Sequence, residues 1–134
     1  MITKQALSLD DAKRIAAAAA AEARKNEWNV TIAVLDDGGH LMYLERMDGA
    51  PKPTAIVAQE KARTAALFRR PTLNFEEMLK NGRYGVLALP GVTPVEGGVP
   101  LILQNECLGA IGVSGVQSPQ DAQVARAGAA AIGA

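Results

Sequence analysis

The chain has 134 residues, which reads as one domain spanning 1–134, long enough to bury a core without disulfides or a structural metal. Its 14 basic and 14 acidic residues give a formal net charge of zero, so it lacks the electrostatic footprint of a nucleic-acid or acidic-lipid binder. Apolar residues make up 49 % and aromatics only 4 %, so packing must rest on Ala, Val, Leu and Ile.

The first predicted element is a helix over 9–25, opened by the capping box Ser8-x-x-Asp11. Met1–Lys4 is polar, and the alanine run 16–21 follows charged residues, so this segment reads as an amphipathic helix and not as a signal sequence. Residues 30–35 form a predicted strand of β-branched and apolar residues. The turn Asp36-Asp37-Gly38-Gly39 leads into a second strand over 40–46. In that strand Leu41, Tyr43 and Glu45 take one face, and Met42, Leu44 and Arg46 the other. A loop punctuated by Gly49, Pro51 and Pro53 follows.

The spacing of Ala55, Ala58, Ala62, Ala65 and Ala66 predicts a second helix over 54–68, with a small-residue stripe that lets its backbone approach a sheet. Asn74 and Glu77 are placed to cap a short helix over 75–81, and Gly82 ends it. Residues 84–89 read as a strand, followed by a Pro- and Gly-rich loop over 90–98. Two further strands, 99–104 and 107–113, flank a hairpin turn at Asn105-Glu106. A second capping box, Ser118 to Asp121 with Pro119 at the first helical position, opens a final helix to about 132. Short hairpin connections demand antiparallel pairing, so the expected fold is α+β, an antiparallel sheet with helices packed on it.

One cysteine, Cys107, excludes an internal disulfide and suits a reducing cytoplasm. No run approaches the ~18 consecutive apolar residues of a membrane span. There is no c-type haem attachment motif, no zinc-ligand spacing, no phosphate-binding P-loop and no nucleophile elbow.

Five collinear segments, residues 32–50, 56–72, 95–101, 108–115 and 118–132, resemble the GlcG/HbpS-like family of small haem-binding and haem-degrading proteins. The resemblance covers nearly the whole chain. It implies a profilin-like fold with a five-stranded antiparallel sheet and helices on its faces. It also implies assembly into homo-oligomers, and haem as the first ligand to test.

His40 is the only imidazole. It is either a structural or exposed turn residue, or an axial ligand to haem iron or a general acid/base. One histidine per chain excludes bis-histidine ligation within a single chain. Lys61 either snorkels to solvent or supplies a cation at a pocket wall, with Thr64 adding a hydroxyl one turn away. Gly97 and Gly98 mark a tight bend or a nest of backbone N–H groups for an anion. Glu96 in the same loop is a candidate catalytic carboxylate. Two function classes follow. The first is a small-ligand binder, with haem the ligand and haem degradation its chemistry, using His40, Lys61, Thr64 and the Gly97-Gly98 loop. The second is an enzyme on a small carboxylate or catabolic intermediate, in which Lys61 holds the carboxylate and His40 or Glu96 moves a proton. An accessory or assembly module without chemistry is the third reading.

Overall fold

A computed structural model describes residues 1–133. The elements in chain order are α1 (Leu9–Lys25), β1 (Thr31–Asp36), β2 (Leu41–Arg46), α2 (Thr54–Phe68), α3 (Leu73–Lys80), a 3₁₀ helix (Tyr84–Ala88), β3 (Gly98–Leu103), β4 (Glu106–Ser114) and α4 (Ser118–Ala129). The fold is α+β. Among the described residues the sheet has four antiparallel strands in the order β2-β1-β4-β3.

The sheet separates two apolar layers. On one face α1 and α4 cover Ile32 and Val34 of β1, and Ile111 and Val113 of β4. Six residues of α1 (Ala12, Ile15, Ala16, Ala19, Ala20, Ala23) are buried, and five of them are alanine. The helix can therefore lie close to its neighbours. On the other face α2 sets Ala58, Ala62, Ala65 and Ala66 against Ala33, Leu35 and Ala110. At Gly112 a Cβ would run into the carbonyl of Ala58 and lie 2.6 Å from the Ala62 nitrogen, so helix and sheet meet backbone to backbone.

The predicted strand over 84–89 is a correction. The segment folds as a 3₁₀ helix, which removes the expected fifth strand. Val86 N–H donates to Arg83 O (3.4 Å) and Leu89 N–H to Val86 O (3.2 Å), so local i to i+3 bonds satisfy the backbone. Only Val86 is buried, while Tyr84, Leu87 and Leu89 are exposed. One inward side chain per three residues is the 3₁₀ period, not the alternation of a strand.

Smaller shifts have equally local causes. The β3–β4 turn sits at Gln104 and Asn105, φ +53° and +64°, one residue before the expected position. Two consecutive left-handed residues are what a two-residue hairpin needs, and Glu106 thereby joins β4. The β1–β2 register shifts so that Leu35 pairs with Leu41 while Val34 pairs with Tyr43. Leu41 therefore leaves the face it was expected to share with Tyr43. The Ser8–Asp11 capping box is present at α1. At α4 the box is Gln117 with Gln120, because Asp121 is turned inward to other partners. Thr72, not Asn74, precedes α3, and its hydroxyl accepts the N–H of Gly98 (2.9 Å).

Candidate functional site

Lys61 lies on the sheet-facing side of α2, where a lysine has no route to water. Its side chain is 2 % exposed. The ammonium donates to Val113 O at 3.0 Å and to Asp121 Oδ2 at 3.1 Å. Asp121 Oδ1 accepts Val116 N–H at 3.1 Å, which fixes the carboxylate. Burial pushes the Asp121 carboxyl above its usual range, while the Lys61 charge pulls it back. This pair joins α2 to α4 across the end of β4.

Gly97 and Gly98 belong to the same cluster. A Cβ at Gly97 (φ +135°) would stand 2.8 Å from Lys61 Nζ. A Cβ at Gly98 would meet the Lys61 carbonyl and lie 2.8 Å from Thr72 Cγ2. The Gly98 N–H is taken by Thr72, and Gly97 O accepts from Val113 N–H (3.0 Å). The glycines thus let β3 begin directly over α2. The Gly98 N–H is not free to hold an anion.

Thr64, one turn along α2, does different work. Its hydroxyl donates to Gly91 O (2.8 Å) and accepts Thr93 N–H (2.8 Å), tying the 91–93 loop to the helix. Glu96 is half-buried, and its backbone N–H donates to Glu76 Oε1 at 3.1 Å.

His40 stands apart from Lys61. It ends the β1–β2 turn, with its side chain 81 % exposed. Nδ1 is 3.4 Å from Asp36 Oδ1, and that oxygen also accepts the N–H groups of Gly38 and His40 (2.9 Å each). The carboxylate is therefore held in place beside the ring. Among the described residues no hydrogen bond engages Nε2. Gly38 has no side chain, which leaves room for the ring: a Cβ there would lie 3.0 Å from Nδ1. The next turn residue, Gly39, rests on α2 beside Arg63 and Leu67. From the sequence Arg63 is only a substitute for Lys61 as the anion-binding cation, and Leu67 is not singled out. Their signal was the outer stripe Ile56, Glu60, Arg63, Leu67 at helical spacing.

A separate cavity of about 300 Å³ lies between the end of α2, α3 and the 3₁₀ helix, among Phe68, Phe75 and Val86. Among the described residues no group of three or more His, Cys, Asp or Glu side chains could hold a metal ion, and no helix is long and apolar enough to cross a membrane.

Comparison with known proteins places this architecture. The family described as "Haem degrading protein HbpS-like" matches residues 7–130. Protein GlcG of Escherichia coli K12 is 52 % identical over 114 residues, 85 % of either chain. The crystal structure of a double mutant of Streptomyces reticuli HbpS superposes with a TM-score of 0.91 at 32 % identity, covering 100 % of this chain and 92 % of that one. A structure described as a PduOC:heme complex gives a TM-score of 0.88 at 27 % identity, covering 96 % of each chain. The chain belongs to the HbpS-like family, together with GlcG.

Proposed function

We propose that this protein binds haem on the open face formed by the β1–β2 turn and the outer stripe of α2, where Nε2 of His40 would hold the iron. The observation that carries this reading is the imidazole itself. It is the only one in the chain, it is exposed, and its other nitrogen faces a fixed carboxylate. Metal-ligating histidines often have a carboxylate beside the second ring nitrogen, which orients the ring. Leu67, 42 % exposed, offers an apolar contact for the macrocycle, and Arg63 a cation for a propionate. The haem-bound state of the PduOC relative supports the choice of ligand. When bound, haem supplies redox and oxygen chemistry that no side chain here has. Within this reading Lys61 is a positioning residue: its ammonium is committed to Val113 and Asp121, and it seats the Gly97-Gly98 bend. A reducing cytoplasm suits the free thiol of Cys107.

Titration of the purified apo-protein with haem, followed in the Soret band, tests the reading. The expected result is a shift that saturates at one haem per chain and is lost in His40→Ala. Arg63→Ala should weaken binding about tenfold while keeping the same spectrum, as expected for one exposed charge-assisted contact. A flat titration of the wild type would overturn haem binding. An unchanged spectrum in His40→Ala would overturn this ligand assignment.

A further inference from the structure

We propose that the cavity between the end of α2, α3 and the 3₁₀ helix binds a small organic carboxylate with an apolar body, a single ring or a short acyl chain. Its floor is aromatic: Phe68 and Phe75 meet edge to face, with ring centroids 5.2 Å apart and planes at 72°. Its wall comes from the segment that folds as a 3₁₀ helix instead of a strand. Arg83, Val86 and Leu89 all line the cavity, and they are spaced by three residues. In a 3₁₀ helix residues i and i+3 eclipse, and Arg83 and Leu89, which flank the helix, keep that spacing from Val86 on the cavity side. A strand would have divided them between two faces.

The charge on the cavity is of one sign. Arg70 and Arg83 line it, and among the described residues no carboxylate does. The Arg70 guanidinium sits 5.7 Å from the centroid of Phe75, held by a hydrogen bond from Nε to Phe68 O (3.4 Å). Among the described residues neither arginine forms a salt bridge with Asp or Glu. Two unpaired guanidinium groups above an aromatic floor suit an anionic head on an apolar body. A volume of about 300 Å³ is at the lower end for ligand pockets, which restricts the ligand to one ring or a short chain. A Cβ at Gly85 would meet nothing within 4 Å, so the cavity is open on that side. This site shares no residue with the haem face, and the proposal stands whether or not haem binds.

Calorimetric titration with phenylacetate and with hexanoate tests it, with 2-phenylethanol as the uncharged counterpart of the first. Saturable binding of at least one acid at one per chain is expected, with the alcohol at least about tenfold weaker than phenylacetate. The double variant R70Q/R83Q should lose at least about tenfold in affinity while its circular dichroism and melting temperature match the wild type. Gly85→Phe, which places a ring at the open side, should also block binding. His40→Ala should leave the affinity unchanged, which separates this site from the haem face. The proposal is overturned if neither acid binds at millimolar concentration or if the alcohol binds as well as phenylacetate. A folded R70Q/R83Q protein with wild-type affinity would equally overturn it.

Discussion

The Lys61 ammonium lies 3.1 Å from the Asp121 carboxylate, and both side chains are 2 % exposed although the residues are 60 positions apart in the chain. The bond joins the helix on one face of the sheet to the helix on the other. Removing one member leaves the other charge buried alone. Lys61→Ala and Asp121→Ala are each expected to cost about 3–5 kcal/mol. Chemical denaturation of both single variants and of K61M/D121L checks this. The double variant should lose much less than the sum, because the uncompensated charge is gone in both directions.

The two ends of the molecule should respond to acid with opposite sign. Asp11 is held below its ordinary range by the hydrogen bonds of its capping box with Ser8. Its contribution is therefore present above the unfolded value of 3.8 and lost as pH falls through the lower folded value. Asp121 is shifted upward by burial, so the folded state holds its proton more tightly than the unfolded chain. Its contribution declines as pH rises from about 3.8 through the folded value. Stability differences between wild type and D11N, and between wild type and D121N, measured from pH 3 to 7, should slope in opposite directions. Parallel slopes would contradict both assignments.

Gly98→Val and Gly85→Ala form a matched test of backbone approach. At Gly98 the new side chain would strike the Lys61 carbonyl and Thr72, and neither neighbour can move freely. The expected cost is at least the 1–3 kcal/mol or so of overpacking, with folding lost before any binding property. At Gly85 nothing lies within 4 Å. Gly85→Ala should leave the melting temperature within error of the wild type.

Thr64→Val preserves shape and removes the hydroxyl that joins Gly91 and Thr93 to α2. The orphaned Gly91 carbonyl and Thr93 N–H should cost about 1–3 kcal/mol unless water reaches them. Hydrogen exchange should report the loss as faster exchange at Thr93, with the amides of α1 unaffected.

Self-association is the fifth expectation, and it is drawn from surface chemistry. α4 looks in the sequence like a helix needing outside cover, yet its residues Ala122, Val124, Ala125 and Gly128 are buried within the chain. Exposed apolar residues lie elsewhere, among them Ile56 of α2 and Tyr84 and Leu87 of the 3₁₀ helix. Among the described residues the outer edges of β2 and β3 are also unpaired in the sheet order. A homo-oligomer that covers these residues, and leaves the face at His40, Arg63 and Leu67 and the cavity open, is the expected state. Light scattering should give at least twice 14.0 kDa at micromolar concentration, and Ile56→Glu or Leu87→Glu should reduce it. A constant mass near 14.0 kDa would contradict the expectation.

The local signals in the chain were sufficient for much of this architecture. The Ser8–Asp11 box and the alanine spacing of α2 set helices at the expected places, because caps and helical periodicity act within a few residues. The two hairpins were legible for the same reason. Tertiary structure decided what depends on distant partners. Residues 84–89 are apolar enough for a strand, but local 3₁₀ bonds and one buried Val86 suit the surface they meet, and the fifth strand does not form. Asp121 looks like a capping residue until a buried ammonium from α2 arrives beside it, and then the cap passes to Gln117 and Gln120. Lys61, Gly97 and Gly98 were legible as residues out of place, and their meeting around one buried charge was not. Desolvation and Coulomb energy depend on separation in space, and separation along the chain does not encode them.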